Sequence, residues 1–361
     1  MLRKLAMPIP LIHQTDLFRP HGDPDDHFDL ATVYALSTRG HVDLAGILCD
    51  YPPPRRTGDP DLAAVAMLNA ITGLMTPVVV GMPQRPAGAK DTLQSAPACD
   101  LNGVRWVLNT LRNSPKPVAI TIVGSAKEIA VASRREPELF AKNCRAVYLN
   151  SGSGTPDPVL QEKPEFNVAL DPASFASLFD LPCPLYWMPC YDHLPIDKPD
   201  PRYVMRHGTF YQFPMEQLLP KLSPPLQRYF LSVLEKEEAT HWAKSLRQAV
   251  DPALLARWSA EKRNMWSTVS FFHLAGQGVR RDGSLIPIGS DPANEVYRIY
   301  PISAKVNERG QVSWTECAKT DGPPRFKFEV TDLEHYASAM TTALSSWLAP
   351  LGRDFAWSAP A

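Results

Sequence analysis

TDLFRPHGDPDDHFDLA, residues 15–31, concentrates acidic side chains at one point of the chain. PLIHQT, residues 10–15, is a short extended run before it, and HFDLATVYAL, residues 27–36, has apolar residues at helical spacing after it. Pro20, Gly22 and Pro24 exclude a helix before Asp25. The segment is therefore predicted to be a strand-to-helix turn, where a parallel sheet usually places its ligands. Its five aspartates are Asp16, Asp23, Asp25, Asp26 and Asp29.

Two interpretations of this acidic group remain open from the residues alone. Carboxylates packed together repel one another unless a cation or a proton offsets the repulsion, and a hard cation such as Ca²⁺ is the obvious candidate. Alternatively, Asp25 and Asp26 face the positive end of a helix dipole while the other aspartates are solvated. Asp29 lies one turn beyond this pair, and we expect it to face solvent.

Length and composition exclude several classes of protein. The chain has 361 residues, enough for one large α/β domain or two smaller ones, with 44% hydrophobic and 21% charged residues. A formal net charge of −1 argues against a nucleic-acid or anionic-membrane partner. No apolar run approaches the roughly 18 residues that span a bilayer. MLRKLAMPIPLIH, residues 1–13, is interpreted as the lead-in to the first strand, not as a signal peptide.

The six cysteines form no C-x-x-C pair and no cluster with zinc-ligand spacing. This pattern favours free thiols in a reducing compartment, so we expect a cytoplasmic protein.

Apolar strand-like runs alternate with amphipathic helical segments through the first two-thirds of the chain. This alternation predicts an α/β fold with a mostly parallel central sheet, a Rossmann-like core and helices on both faces. Residues 194–275 are strand-poor and are interpreted as a helical elaboration of a single domain spanning 1–361. The clearest amphipathic run in this part lies at 223–250, and a strand is expected again at 296–306. The strand ends expected to line one crevice are Asp50, Gly81, Val123, Asn150 and Asp192.

The order of motifs resembles the inosine–uridine-preferring nucleoside hydrolase family. IHQTD (12–16) and GDPDD (22–26) are similar to its first-strand signature, closest to a branch with a T-D…D-P-D-D motif, although Gln14 replaces the first Asp. The further matching segments are HVDLAGILCD (41–50), TIVGSAKEIAVASRREPELF (121–140), KPEFNVALDP (163–172) and PLYWMPCYDH (184–193).

The resemblance implies a role for each matching residue. Asp16 would bind Ca²⁺ and orient or deprotonate the attacking water, while Asp26 and the Val123 carbonyl would complete the metal shell. Asp25, Glu165 and Asn167 would hold the ribose. Asp50 lies near a further substrate contact of the family, in a looser alignment, and Trp266 either stacks a nucleobase or packs in the core.

The implied activity is hydrolysis of the N-glycosidic bond of a ribonucleoside or related N-riboside by a Ca²⁺-activated water. The family's late His-Asp pair is missing, because Trp266-Ser267 stands in its place and no carboxylate occurs between Arg263 and Arg281. Ca²⁺ binding should therefore be weaker unless Asp23 or Asp192 compensates. Alternatives are a diverged, non-catalytic sugar- or nucleoside-binding member and hydrolysis of a different glycoside. The relatives imply a homo-oligomer as one option.

Overall fold

The computed structural model describes residues 8–20, 24–52, 58–192, 206–318 and 322–355, so Asp23 and His193 lie outside the described residues. The strands in these segments are β1 (Ile9–Thr15), β2 (Phe18–Arg19), β3 (Val42–Cys49), β4 (Asp59–Pro60), β5 (Val78–Val80), β6 (Val118–Ile122), β7 (Cys144–Asn150), β8 (Leu185–Met188), β9 (Tyr211–Pro214), β10 (Lys262–Met265), β11 (Gln277–Val279), β12 (Leu285–Pro287), β13 (Tyr297–Val306), β14 (Val312–Glu316) and β15 (Arg325–Val330).

The α-helices in the same segments lie between these strands or after the last one. They are α1 (Asp25–Thr38), α2 (Leu62–Thr72), α3 (Asn102–Asn113), α4 (Lys127–Arg135), α5 (Pro137–Asn143), α6 (Phe166–Leu170), α7 (Pro172–Leu178), α8 (Pro224–Leu234), α9 (Trp242–Arg247), α10 (Pro252–Ser259), α11 (Thr268–Leu274) and α12 (Tyr336–Leu348). None of the described helices has both the length and the apolar character needed to cross a bilayer.

A nine-stranded sheet with the order β14-β13-β15-β8-β7-β6-β1-β3-β5 forms the centre of the fold. Neighbouring strands from β15 to β5 pair parallel, whereas β13 pairs antiparallel with both β14 and β15. The predicted α/β class with a mostly parallel sheet is confirmed. Strand β1 lies inside the sheet between β6 and β3, so the turn that follows it opens near the middle of the carboxyl edge.

Helices cover both faces of this sheet. Successive residues of β1 point to opposite faces, so Leu11 joins one buried apolar cluster and Ile12 joins the other. The first cluster includes α1, α2, α8, α11 and α12, and the second includes α3, α4, α5 and α7. Residues of β6 are buried throughout, as expected for a parallel strand covered on both faces.

The antiparallel edge formed by β13, β14 and β15 differs from the sequence-based expectation, which placed a strand only at 296–306. Strand β14 is largely exposed, so it lacks the continuous apolar run that marks the inner strands. The amphipathic run at 223–250 is also divided into α8 and α9. Within the segment interpreted as helical elaboration, Phe230 of α8 stacks on Phe28 of α1 with ring centroids 4.2 Å apart. Its assignment to a single domain stays a prediction.

Candidate active site

The loop between β1 and α1 is fixed by contacts with a neighbouring loop. Asp61 donates its backbone N–H to the Leu17 carbonyl at 3.0 Å, and strands β2 and β4 pair antiparallel beside it. Arg19 donates from Nε to the Asp61 carboxylate at 3.0 Å and also donates to the Glu237 carbonyl. Asp61 in turn accepts from the Ala64 N–H at the start of α2. These contacts hold the long connection that separates Asp16 from the acidic start of α1.

Asp16 and Asp26 meet at the carboxyl end of β1. Their side chains are hydrogen-bonded to each other, and Thr15 Oγ1 donates to Asp26 Oδ1 at 3.2 Å. Burial raises the pKa of Asp26 well above its usual range, and the charges of Asp16, Asp25 and Asp29 raise it further. Two carboxyl groups in contact require a proton or a cation between them. The acidic group is therefore folded inward, not spread into solvent as an acidic helix start would be.

Asp29 does not face solvent, so that expectation is wrong. The residue is completely buried because α1 packs on all sides, with every residue from His27 to Leu36 buried. Ser267 donates its hydroxyl to Asp29 Oδ2, while Oδ1 is buried without a hydrogen-bond partner among the described residues. Burial raises the pKa of Asp29 to about 7, the Ser267 hydrogen bond opposes this rise, and the charge of Asp16 adds to it.

The EFN segment contacts the end of β6. Asn167 donates from Nδ2 to the Val123 carbonyl at 3.0 Å and to the Asn150 carbonyl at 3.4 Å. Two residues that sequence analysis assigned to different roles, sugar binding for Asn167 and cation binding for Val123, are thus in direct contact. A carbonyl oxygen has two lone pairs, so this hydrogen bond leaves Val123 with one acceptor position.

Glu165 caps the short helix α6 and ties it to the end of β7. Its carboxylate accepts from the N–H groups of Asn167 and Val168 at 2.9 and 3.3 Å. It also accepts from the Ser151 hydroxyl and the Gly152 N–H, both at 3.0 Å. Burial raises the pKa of Glu165, and these four hydrogen bonds oppose the rise. The carboxylate is therefore held rigidly by protein donors.

The Cys190 thiol lies just beyond β8, near several of these acidic groups. Burial raises its pKa well above the usual range, and nearby carboxylates raise it further. The contributing residues are Glu165, Asp25, Asp26 and Asp29. The EFN segment and the first turn of α1 therefore both lie near Cys190 at the carboxyl edge of the sheet. Asp25 lies half-buried in that first turn.

Gln14 links three strand ends beside Asp16. It donates from Nε2 to Asp50 Oδ1, and its Oε1 accepts from the Gly124 N–H at 3.1 Å. The other oxygen of Asp50 accepts from the Ser125 N–H at 2.7 Å. Asp50 is buried, which raises its pKa well above the usual range, and the charges of Glu128 and Asp16 add to this effect while Lys127 opposes it. Both carboxylate oxygens of Asp50 are thus engaged within the protein.

The segment that carries Trp266 and Ser267 reaches the acidic group through the hydrogen bond from Ser267 to Asp29. Trp266 is half-buried, with its ring 5.5 Å from that of Phe210, and its carbonyl accepts from Asn150 Nδ2 at 3.1 Å. His273 packs away from the acidic group, since its Nδ1 contacts the Tyr148 hydroxyl at 3.0 Å and burial lowers its pKa to about 4.

Asp192 accepts from the His207 N–H at 2.6 Å, and burial raises its pKa to about 7 while Lys327 opposes the rise. Asp192 is one of the two aspartates that could compensate for the missing late carboxylate. It is instead hydrogen-bonded to the His207 N–H and lies near the charge of Lys327. Asp23 lies outside the described residues. Asp29, which sequence analysis set aside, is the further carboxylate that interacts with Asp16.

The oxygen atoms available at this site are of the type that binds a hard cation. Asp16, Asp26 and the Val123 carbonyl offer oxygen ligands, which Ca²⁺ prefers over nitrogen or sulfur. Across the described ranges, no three or more His, Cys, Asp or Glu side chains are grouped closely enough to hold a metal ion. The arrangement is therefore one of two touching carboxylates and a nearby carbonyl.

No family model and no curated protein sequence matches this chain. Solved structures do match it over almost its whole length. The effector protein XOO4466 has a TM-score of 0.58 at 14% identity, covering 95% of this chain and 94% of that one. At such low identity the likeness establishes the fold alone.

Two further solved structures share this fold. The type III effector protein XopQ, complexed with adenosine diphosphate ribose, has a TM-score of 0.52 at 13% identity and covers 95% of each chain. The purine-preferring ribonucleoside hydrolase from Gardnerella vaginalis has a TM-score of 0.51 at 13% identity, covering 94% of this chain and 99% of that one. The chain has a nucleoside-hydrolase-like fold.

Proposed function

We propose that this protein hydrolyses the N-glycosidic bond of a ribonucleoside or a related N-riboside with the help of a bound Ca²⁺ ion. The observation that carries the proposal is the contact between Asp16 and Asp26 at the end of β1. A cation between these carboxylates offsets their repulsion, which is otherwise relieved by protonation. The same crevice contains the EFN segment, which resembles the ribose-binding motif of nucleoside hydrolases.

Asp16, Asp26 and the Val123 carbonyl are the groups that would hold the ion. Ca²⁺ bound there would lower the pKa of a bound water, which favours hydroxide at neutral pH. Asp16 would orient the attacking water and accept its proton. Gly124, which follows β6, restricts the position of Asp16 because its backbone approaches Asp16 closely, and Gln14 of β1 accepts from the Gly124 N–H. Asp16 is therefore the catalytic base in this proposal.

The sugar occupies the space between α1 and the EFN segment. Asp25 accepts hydrogen bonds from ribose hydroxyls, and Glu165 and Asn167 form the opposite wall. Asp50 supports the strand ends beside the sugar, because Gln14 and Ser125 already engage its two oxygens. Trp266 offers an aromatic surface for the base. Cleavage develops positive charge on the sugar, as in glycoside hydrolysis, and the surrounding carboxylates stabilise that charge. Water adds to the anomeric carbon and gives its proton to Asp16, while the C–N bond breaks and its electron pair leaves with the base, which takes a proton from solvent.

The comparisons support a riboside as substrate. One structure with this fold is named a purine-preferring ribonucleoside hydrolase, and another was solved with adenosine diphosphate ribose. A ribonucleoside and adenosine diphosphate ribose both contain a ribose joined to a further group. We therefore propose small-molecule ribosides as partners of this chain, with no nucleic acid involved. The six cysteines are free thiols, which supports action in the cytoplasm.

A specific observation favours a second candidate, a non-catalytic sugar- or nucleoside-binding protein. Glu165 already accepts from four protein donors, and the Asn167 amide donates to two backbone carbonyls. These groups therefore shape the crevice even without a substrate. Such a protein would bind a riboside and release no product.

Ribose release separates the two candidates. The full chain is incubated with inosine, uridine, adenosine or adenosine diphosphate ribose, with Ca²⁺ or with a chelator, and reducing ends are measured. Binding of the same compounds is measured by calorimetry. Hydrolysis requires Ca²⁺-dependent release that Asp16→Asn removes. Binding of a riboside without release from any compound overturns hydrolysis and supports the second candidate.

A further inference from the structure

An open groove lies on the face of the protein formed by α3 and the end of α4. Its volume is about 630 Å³, which is within the range of small-molecule sites. The charged residues that line this arginine groove are four arginines and one glutamate, namely Arg105, Arg112, Arg134, Arg135 and Glu136. A concave surface lined mainly by one sign of charge concentrates counter-ions. The arginine groove therefore attracts anions.

The arginine groove is separate from the proposed active site. Among the lining residues that the structure describes, none belongs to that site. Helix α4 begins two residues after Ser125, whose N–H donates to Asp50, and it ends at Arg135. The nine residues of α4 rise about 12 Å, at about 1.5 Å per residue. Arg135 thus lies about one helix length from the start of α4, so the groove is a second site.

One face of α3 forms a side of the arginine groove. Arg105, Leu108 and Arg112 line the groove, and residues three, four and seven apart lie on the same face of a helix. Seven residues of α-helix rise about 10 Å, so the two arginines are attached to the helix about this far apart. Leu108 is buried between them. A ligand that reaches both arginines must carry more than one anionic group.

Arg135 is fixed by uncharged acceptors at the other side of the groove. Its Nε donates to the Thr92 carbonyl at 2.7 Å and its Nη2 to the Leu93 carbonyl at 2.8 Å. Leu93 has a φ of +52°, a left-handed conformation that is uncommon for a residue other than glycine. Arg134 donates to the Asp91 carbonyl of the same loop at 2.8 Å, and the Asp91 carboxylate accepts from two N–H groups of this loop. Backbone carbonyls orient the Arg135 guanidinium group without neutralising its charge.

The arginines on α3 have donors that a ligand can use. Arg105 is exposed, and its side chain makes no hydrogen bond or ion pair within the described segments. Arg112 donates from Nη2 to both carboxylate oxygens of Glu136 at 2.7 Å. The side chains of this pair are 47% and 37% exposed, and exposed ion pairs contribute little to stability. A ligand of higher charge therefore competes with Glu136 for Arg112.

We propose that the arginine groove binds a small molecule that carries two or more linked phosphate groups. The planar guanidinium group matches phosphate oxygens with paired hydrogen bonds. Arg105 and Arg135 bind the phosphate chain from opposite sides, and Arg112 leaves Glu136 to join them. None of the nine lining residues in the described segments is aromatic, so the groove offers no stacking surface for a nucleobase. Recognition therefore depends on the phosphates, and this site goes beyond the proposed function.

The spacing of the arginines favours linked phosphates over an acidic peptide. Side chains on the same side of an extended peptide are about 7 Å apart, so such a peptide offers about two carboxylates over the length between Arg105 and Arg112. A chain of phosphates places more negative charge within the same length. Three or four arginines around one groove are better matched by the ligand with the higher charge density.

Calorimetry with tripolyphosphate and the full chain tests the proposal, in buffer without Ca²⁺ because tripolyphosphate binds this ion. The wild type should bind one tripolyphosphate, more weakly as the salt concentration rises. Arg105→Gln should reduce the affinity by about tenfold or more, because it removes charge-assisted hydrogen bonds. Glu136→Gln should raise the affinity by about 2- to 5-fold, because Arg112 is released and a like charge is removed.

Arg309→Gln is the matched control, since it removes the same charge from an exposed position between β13 and β14 and should leave the affinity unchanged. Arg105→Gln should also melt at the wild-type temperature and release ribose at the wild-type rate, so failure of the proposed hydrolysis does not affect this test. Arg105→Gln that binds tripolyphosphate like the wild type would overturn the groove as the site, and so would a wild type that does not bind it. Tighter binding of a hexaglutamate peptide than of tripolyphosphate would overturn the assignment to phosphates.

Discussion

Asn167 donates its side-chain amide to the backbone carbonyl of Val123 at 3.0 Å and so joins the EFN segment to the end of β6. The contact connects the wall of the proposed sugar site to a proposed cation ligand. A substrate that forms a hydrogen bond with Asn167 therefore contacts the same side chain that orients the Val123 carbonyl.

The first prediction concerns this contact. Asn167→Ala removes the donor to Val123, so the carbonyl loses its orientation and the ribose loses one wall. We expect kcat/KM for the best nucleoside to fall at least about tenfold, and the free energy of unfolding to fall by about 1 kcal/mol. Steady-state kinetics and urea unfolding measure the two effects. Asn109→Ala, at an exposed position on α3, should change neither. Unchanged kinetics in Asn167→Ala would remove this residue from the site.

The second prediction concerns Asp26. Asp26→Ala should abolish Ca²⁺ binding and ribose release while leaving the fold intact, because it removes one of two touching carboxylates. In the absence of Ca²⁺ the melting temperature should rise, since repulsion within the acidic group is relieved. Calorimetry, the ribose assay and thermal unfolding provide the three readouts. Full turnover by this variant would show that Asp26 has no metal role.

Gly124 is the basis of the third prediction. A Cβ atom at this position would lie 2.7 Å from Asp50 Oδ2 and 2.9 Å from the Asp16 backbone nitrogen. Gly124→Ala should therefore displace the end of β1, lower the free energy of unfolding by about 1–3 kcal/mol and reduce activity. Gly88→Ala is the matched control, because the added methyl group meets open space. Equal stability of the two variants would contradict the close approach of the three strand ends.

The fourth prediction is a pH dependence of stability at Lys327, outside the proposed site. Lys327 is completely buried, and burial lowers its pKa to about 7 from an ordinary value of 10.5. The unfolded chain then binds more protons than the folded one between these values, so this residue makes stability rise as pH rises. Relative to the wild type, Lys327→Met should gain more unfolding free energy at pH 7 than at pH 10.5.

Urea unfolding of both proteins at the two pH values tests this difference. Lys305→Met, at an exposed position on β13, should show the same difference from the wild type at both values. If the difference in unfolding free energy between Lys327→Met and the wild type were the same at both pH values, the buried ammonium would keep its charge without an energetic cost, against the prediction.

The central sheet could be predicted from sequence because its signals are local. Inner strands such as β6 are continuous apolar runs, and α2 ends at Gly73, whose φ of +72° suits a left-handed helix end. Edge strand β14 was missed because its exposed residues give no such run. Strand β15 was missed although most of it is buried, because the buried polar residues Lys327 and Glu329 interrupt its apolar pattern. Local patterns therefore identify continuous apolar strands better than strands that lack such a run.

The site was only partly predictable for a different reason. Asp16, Asp26 and the EFN segment follow recognisable motifs, whereas buried Asp29 has its hydrogen bond from Ser267, 238 residues away in sequence. One feature of the sequence did indicate that Asp29 is buried, since HFDLATVYAL has too few polar residues to form a solvated helix face. An aspartate in such a helix has no solvent to face, and a buried partner is the physical alternative.

Diffraction from a crystal soaked in Ca²⁺ and ribose would locate the proposed cation and sugar sites in one experiment. We expect a single calcium peak about 2.3–2.6 Å from oxygens of Asp16, Asp26 and the Val123 carbonyl, with the sugar between α1 and the EFN segment. A soaked crystal in which Asp16 and Asp26 keep their mutual hydrogen bond, with no calcium peak beside them, would contradict this expectation.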